Sequence, residues 1–219
     1  MNYLAHALPF LDRPYFVAGT AVPDWLAVAD RAVRVRAKHA APLVEAEDPC
    51  LAAVAGGLLQ HFRDDRRFHE TRAFAETSLE LTAAFRRALG PETGFRAAFL
   101  GHVLVEVLLD AELAAEDVAR LDAYQRALEA IEPRGVQNAV NRMVRQPTLR
   151  LAPLIDLFRR ERILWDYLED AKLWVRLNQV LRRVGLPCLP DQAAAVLPLG
   201  RQLVRRRRRE LLEGIPVSG

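Results

Sequence analysis

The chain has 219 residues, 51% of them hydrophobic and 27% charged, and a formal net charge of +3. This length suits one sizeable core, the composition is that of an ordinary globular protein, and the small net charge argues against general nucleic-acid binding. The two cysteines form no CxxC pair, and we see neither a signal peptide nor an apolar run long enough to span a membrane. We therefore expect a cytoplasmic protein with free thiols.

Helix signals dominate the chain, because Ala, Leu, Arg and Glu are abundant and strand-like alternation is missing. A short helix over residues 3–11 should be followed by a loop around Gly19 and Pro23 and then a short helix. The next helical stretch begins at Asp48, breaks once near His69 and stops at Gly90-Pro91-Glu92. The later predicted helices cover 95–113, 116–130, 134–146, 150–161, 163–184 and 191–213.

These elements predict one all-α domain over 1–219, with about eight to ten helices and a metal site between the central ones. We assign residues 1–113 to a metal-binding half, 114–213 to additional helices and 214–219 to a frayed tail. The helix over 95–113 is the most hydrophobic and should be the central helix of the fold.

The candidate metal ligands form two ladders of polar side chains with a spacing of four residues. The ladders are His61, Asp65 and His69 on one helix and His102, Glu106 and Asp110 on another. This spacing places the members of a ladder on one helix face. Glu106 lies in the apolar segment AAFLGHVLVEVLLDAEL, where a buried carboxylate is costly unless it is paired or binds a metal.

Matched histidine and carboxylate pairs favour a multinuclear metal site over a buried polar network. A lone helical histidine is more often a surface or hydrogen-bonded residue, so His6 and His39 indicate little by themselves. Asp65 is central to its ladder and is the natural carboxylate to bridge two ions. Asp110 is as plausible a hydrogen-bond partner behind the ligands as a ligand.

The order of these residues, with Pro23-Asp24 between His6 and His39, resembles that of the zinc-dependent phospholipase C and P1-type nuclease superfamily. The resemblance covers about residues 1–110 and implies an all-α hydrolase with a cluster of two or three zinc ions. It implies a first zinc at Asp24, His39, His61 and Asp65, a second at His69, His102 and Glu106, and a third at His6 and Asp65. Met1 is a possible third-site ligand, although secreted family members use a processed tryptophan terminus.

A second resemblance is to the acyl carrier protein phosphodiesterases, which are cytosolic, helical and metal-dependent. The segments MNYLAHAL, Gly19 to Trp25 and GLLQHFRDDRRFHET are similar to theirs. This resemblance implies that manganese, or iron, replaces zinc and that the substrate is a carrier protein. It matches His6, Asp24, His61 and Asp65 and leaves His39 and Glu106 without a role.

Both resemblances imply hydrolysis of a phosphodiester, in which a metal-bound water attacks phosphorus. Asp24 is the candidate for orienting that water, and Asp65 is the second predicted catalytic residue. Arg63, Arg66 and Arg67 are candidate phosphate contacts, although a solvated helix face paired with Asp64 and Glu70 explains them at least as well. A third hypothesis is a metal-stabilised helical module that binds a partner without turnover.

The densest positive charge lies at Arg201 and Arg205–Arg209. An anionic surface or an acidic protein is a possible partner for this run, while a role in nucleic-acid binding is left open. A solvated helix end is the simpler interpretation, because arginines are favourable near a helix C-terminus.

Overall fold

The computed structural model describes residues 1–90 and 94–216. Those residues contain twelve α-helices and no β-strand, which confirms the predicted all-α fold. Pro91 and Glu92 of the predicted boundary, and residues 217–219 of the predicted tail, lie outside the described residues. The helices are α1 (Tyr3–Ala7), α2 (Pro14–Ala29), α3 (Ala37–Ala40), α4 (Pro49–Glu70), α5 (Arg72–Leu89), α6 (Gly94–Glu116), α7 (Ala119–Glu129), α8 (Pro133–Asn141), α9 (Leu151–Glu161), α10 (Ile163–Asp166), α11 (Asp170–Arg183) and α12 (Val196–Leu211).

The chain divides into two compact units. The His6 unit comprises Tyr3–Arg66, Val118–Ile163 and Pro216, and the Glu106 unit comprises Met1–Asn2, Arg67–Asp117 and Leu164–Ile215.

In the His6 unit, the prediction of a loop around Gly19 and Pro23 is wrong, because both residues lie inside α2. Pro14 occupies the first turn, where its missing N–H costs nothing. Pro23 removes one interior hydrogen bond and costs about 3 kcal/mol in a helix interior. The apolar side chains of α2, including the fully buried Trp25, offset that cost by packing in the core.

Helices α2 and α4 touch through their backbones at Gly19 and Gly57. A Cβ at Gly57 would lie 2.9 Å from the Gly19 Cα and 2.9 Å from the Thr20 nitrogen. Neither position can therefore carry a side chain without moving a helix. This close approach brings the backbone of α2 within reach of His61, one turn after Gly57.

Helix α4 begins where its sequence predicts a helix start. Asp48 accepts hydrogen bonds from the backbone N–H groups of Cys50, at 2.9 Å, and Leu51, at 3.3 Å, and Pro49 occupies the first turn. The predicted break near His69 is confirmed at Thr71, whose hydroxyl oxygen accepts from the Phe74 N–H at 3.1 Å and starts α5.

In the Glu106 unit, helices α5, α6 and α12 pack against one another around the buried face of α6. A Cβ at Gly101 would lie 2.7 Å from the Ser78 carbonyl oxygen, so α6 lies directly on the backbone of α5. Leu104 and Leu108 of α6 are fully buried. This packing fixes the helix that carries His102 and Glu106.

Three predicted helices are shorter or more divided than expected. The helix expected over 134–146 ends at Asn141, whose side chain accepts from the Thr148 N–H at 2.9 Å and donates to the Thr148 carbonyl at 3.0 Å. The stretch 163–184 splits into α10 and α11, and the first residues of 191–213 form a 3-10 turn, Asp191–Ala195, before α12.

Candidate metal centre

Six predicted ligands converge into two groups of three. The donor atoms within each group all lie within 4.8 Å of one another. We call them the His6 cluster and the Glu106 cluster; their members are His6, His61 and Asp65 in the first, and His69, His102 and Glu106 in the second. The second group has the same members as the second metal site implied by the phospholipase C resemblance.

In the His6 cluster both histidines are buried and Asp65 is half-buried. The side chain of His6 is 0% exposed, and its ring stacks on that of His61 with centroids 4.2 Å apart. His61 Nδ1 lies 2.8 Å from the Thr20 carbonyl oxygen. Because a carbonyl only accepts hydrogen bonds, Nδ1 carries the proton, and the lone pair of the neutral ring is on Nε2. His61 is therefore oriented to offer Nε2 as a ligand atom.

Asp64 is a functional candidate that the ladders do not reveal. Its side chain is 3% exposed, and its Oδ2 lies 3.5 Å from His6 Nδ1, while Oδ1 accepts from Gln60 Nε2 at 2.8 Å. Asp64 is thus buried rather than on a solvated face. The four-residue spacing of Gln60 and Asp64 predicts their contact from the sequence. The sequence does not predict the contact between Asp64 and His6, because His6 lies on a helix that is distant along the chain.

Asp24 and His39 belong to neither cluster. Asp24 lies on α2 one turn after Thr20 and is half-buried, and His39 is half-buried on the short helix α3. Their ligand roles, and the role of Asp24 in orienting a nucleophile, stay predictions.

The Glu106 cluster converges on one carboxylate oxygen in the Glu106 unit. Glu106 Oε1 lies 3.0 Å from His69 Nε2, 3.2 Å from His102 Nε2 and 3.3 Å from the Met1 nitrogen. The ring of Phe74 packs edge-on against both imidazoles, with centroid distances of 4.6 and 5.0 Å. Asp110, one turn after Glu106 on α6, is 1% exposed, and its supporting role stays a prediction.

The convergent donors keep Glu106 ionised. Burial alone would raise the pKa of this carboxyl group, but the Met1 ammonium and the hydrogen bonds from His102 and His69 outweigh burial. The pKa of Glu106 is therefore held well below its ordinary value. An ionised carboxylate is the form that binds a divalent cation.

The Glu106 cluster has a spacing compatible with zinc. With bonds of about 2.0–2.2 Å, neighbouring ligands of a tetrahedral zinc lie roughly 3.3–3.6 Å apart. The two nitrogen–oxygen distances of 3.0 and 3.2 Å are within a few tenths of an ångström of that spacing. His69 and His102 are 30% and 44% exposed, so the cluster is open to solvent. Three ligands with solvent access leave room for a water molecule.

The arginines of α4 are exposed on its surface. Arg63 donates to Gln60 Oε1 at 2.6 Å, and Arg67 donates to the Gly214 carbonyl at 2.7 Å. Arg66 is likewise exposed. Their predicted contacts with phosphate stay predictions.

The arginine-rich helix α12 is paired largely within its own unit. Arg205 donates to Glu112 at 2.8 Å, Arg207 to Glu80 at 2.6 Å, and Arg208 pairs with Glu116. Arg201 binds Asp170 at 2.6 Å. These ion pairs fasten α12 to its neighbours and neutralise part of the run, and an anionic partner for it stays a prediction.

Comparison with known proteins finds no match to a family model, a curated protein or a solved structure. Among the described helices, none has the length and apolar character needed to cross a membrane. The two clusters and the order of histidines and carboxylates along the chain are therefore the features that bear on function.

Proposed function

We propose that this protein is a metal-dependent phosphoester hydrolase that uses zinc at histidine and carboxylate ligands. The observation that carries the proposal is the convergence of His69, His102 and Glu106 within 4.8 Å, with the two nitrogen–oxygen distances at 3.0 and 3.2 Å. Manganese or iron is the alternative metal. The phosphodiester substrate class comes from the two sequence resemblances.

The Glu106 cluster is the better candidate for catalysis, because its two histidines are partly exposed. Catalytic zinc sites combine three protein ligands with an open position, whereas structural sites are closed. In the His6 cluster both histidines are buried and Asp65 is half-buried, so this cluster is better suited to a closed metal site that supports the fold. A metal at the open position would supply Lewis acidity and a bound water of lowered pKa.

The protein residues have distinct parts in this proposal. Glu106 would contribute the negative charge that offsets the cation. His69 and His102 would bind as neutral rings through Nε2, in place of the hydrogen bonds that these nitrogens make to Glu106 in the metal-free protein. Phe74 covers one side of both imidazoles and limits their rotation. The proposal includes a cytoplasmic location, which suits the two free cysteines, Cys50 and Cys188.

The first experiment measures metal content by elemental analysis of protein purified without chelators, followed by hydrolysis of an aryl phosphodiester. We expect bound zinc in the wild type and the loss of both activity and part of the metal in Glu106→Gln and His102→Asn. Glu116→Gln, on the same helix and 43% exposed, is the matched control and should keep both. A metal-free wild type that stays metal-free after adding zinc or manganese would refute the proposal.

The same material distinguishes the two resemblances. Conversion of holo to apo acyl carrier protein with bound manganese or iron would select the carrier-protein enzyme. A bound metal that raises the melting temperature, without hydrolysis of any diester, would leave a metal-stabilised binding module.

A further inference from the structure

We propose that Asp64 is a positioning residue of the His6 cluster, which holds the ring of His6 so that Nε2 is presented to a metal ion. This inference rests on the proposed metal binding and adds a residue that is not itself one of the three ligands. The geometry of three side chains carries it: the buried Asp64 and His6, and the half-buried Gln60.

The two oxygens of Asp64 are divided between two partners. Oδ1 accepts from Gln60 Nε2 at 2.8 Å, and Oδ2 lies 3.5 Å from His6 Nδ1. Gln60 and Asp64 are four residues apart on α4, so the amide fixes the carboxylate along the helix. The side chains of Asp64 and His6 are 3% and 0% exposed, so water screens little of the attraction between them.

The neighbouring His61 also has an oxygen next to its Nδ1, in its case at hydrogen-bond distance. Its Nδ1 is held by the Thr20 carbonyl at 2.8 Å. The His6 and His61 rings are stacked with centroids 4.2 Å apart and planes 27° apart. The Thr20 carbonyl places the lone pair of the neutral His61 ring on Nε2. For His6, the negative charge of Asp64 at 3.5 Å favours the proton on Nδ1 electrostatically, which leaves the lone pair of the neutral ring on Nε2.

Asp64 and Asp65 are adjacent but have different tasks. Consecutive helical residues point about 100° apart, so their carboxylates occupy different sides of α4. Asp65 offers an oxygen within 4.8 Å of the donor atoms of His6 and His61. Asp64 instead faces the Nδ1 side of His6. A carboxylate behind a ligating histidine fixes the ring and raises its basicity, and its removal typically weakens metal binding 10–100-fold.

The test measures binding at the His6 cluster alone, in a parent variant that carries Glu106→Gln and His102→Asn. The affinity for zinc is measured by competition with a chromophoric chelator, and cobalt is used to record the visible absorption of the bound ion. We expect Asp64→Asn to weaken zinc binding 10–100-fold and to change the cobalt spectrum. Asp64→Glu, which keeps a carboxylate, should recover part of the affinity. Asp156→Asn, at an exposed site of the same unit, should change neither readout.

A milder variant covers the case in which Asp64→Asn does not fold. Gln60→Ala keeps both carboxylates and removes only the amide that holds Asp64, and we expect a few-fold loss of affinity. Unchanged affinity and cobalt spectrum in the folded Asp64 or Gln60 variants, with binding abolished by Asp65→Asn, would overturn the role of Asp64 and leave the metal site intact. If the folded parent binds neither zinc nor cobalt, the His6 metal site itself is refuted.

Discussion

Replacing Gly57 by alanine should separate α2 from α4 and disturb the orientation of His61. The added Cβ would lie 2.9 Å from the Thr20 nitrogen and would also collide with the Phe16 carbonyl oxygen. An ordinary contact needs 3.4 Å or more. Relieving the contact with Thr20 alone needs a retreat of 0.5 Å, the difference between 3.4 and 2.9 Å, and the closer Phe16 oxygen needs a larger one. If the Thr20 carbonyl moves with the backbone of α2, its 2.8 Å hydrogen bond to His61 lengthens past about 3.3 Å, which is beyond the ordinary range for an N–H···O bond.

The expected free-energy cost combines two effects of this movement. Overpacking of a close backbone contact costs about 1–3 kcal/mol, and weakening one hydrogen bond adds up to about 1 kcal/mol. Alanine regains about 0.5–1 kcal/mol through its better helix propensity. We therefore expect a net loss of about 1–3 kcal/mol in the free energy of unfolding.

Gly56 provides a control on the adjacent residue of the same helix. A Cβ at Gly56 would meet only the ring of Phe16, at 3.0 Å, and that side chain can move. Urea denaturation followed by circular dichroism should show a destabilised Gly57→Ala and a nearly unchanged Gly56→Ala. Zinc affinity at the His6 cluster should fall only in the first. Equal urea midpoints for the two variants would refute the argument from helix contact.

The remaining predictions concern three further positions. Arg207→Ala should lower the free energy of unfolding by about 1–3 kcal/mol, because this guanidinium is 13% exposed and binds a threonine and a glutamate of α5. Urea denaturation measures the loss, with Arg206→Ala, at an exposed position, as the control. Equal urea midpoints for the two variants would contradict the prediction. Burial would raise the pKa of Glu106, but the Met1 ammonium and the two histidines lower it below its ordinary value. The ionised carboxylate therefore stabilises the metal-free fold at pH values above the ordinary glutamate pKa of about 4.3, and this stabilisation is lost as the pH falls. Glu106→Gln should therefore flatten the stability curve below about pH 5, and an unchanged slope would argue against this. Burial and two nearby carboxylates raise the pKa of Cys50, so less of it is present as the reactive thiolate. Brief iodoacetamide treatment, followed by mass spectrometry, should therefore show the exposed Cys188 labelled first. Faster labelling of Cys50 would contradict this prediction.

Helical periodicity predicted the elements that carry the candidate site. The helical stretch from Asp48, its break near His69 and the helix over 95–113 correspond to α4, α5 and α6, because each has a long apolar face to bury. The same reasoning failed at α2, where Gly19 and Pro23 are local turn signals. Burial of the apolar side chains of α2 in the core outweighs those signals, and a pattern of local propensities does not contain that energy.

The ladders predicted which residue types converge but not which residues form a group. Four residues advance a helix by about 400°, so each step of a ladder drifts by about 40°, and the two ends of a ladder, two steps apart, differ by about 80°. His61 and His69 can therefore face different neighbours although both follow the same spacing. The structure assigns His61 to the His6 cluster and His69 to the Glu106 cluster. The burial of Asp64 beside His6 was not predicted, because His6 is distant from it in sequence.

Glycine supports the ligand histidines in both units. Gly57 precedes His61 by one turn, and Gly101 immediately precedes His102. A Cβ at Gly101 would lie 2.8 Å from the Thr82 nitrogen, so α6 touches the backbone of α5 just where His102 leaves it. Gly57 therefore fixes the helix that carries His61 against α2, and Gly101 fixes the helix that carries His102 against α5. Neither neighbouring helix contributes a ligand to the two clusters, so the spacing of histidine and carboxylate does not predict these helix contacts.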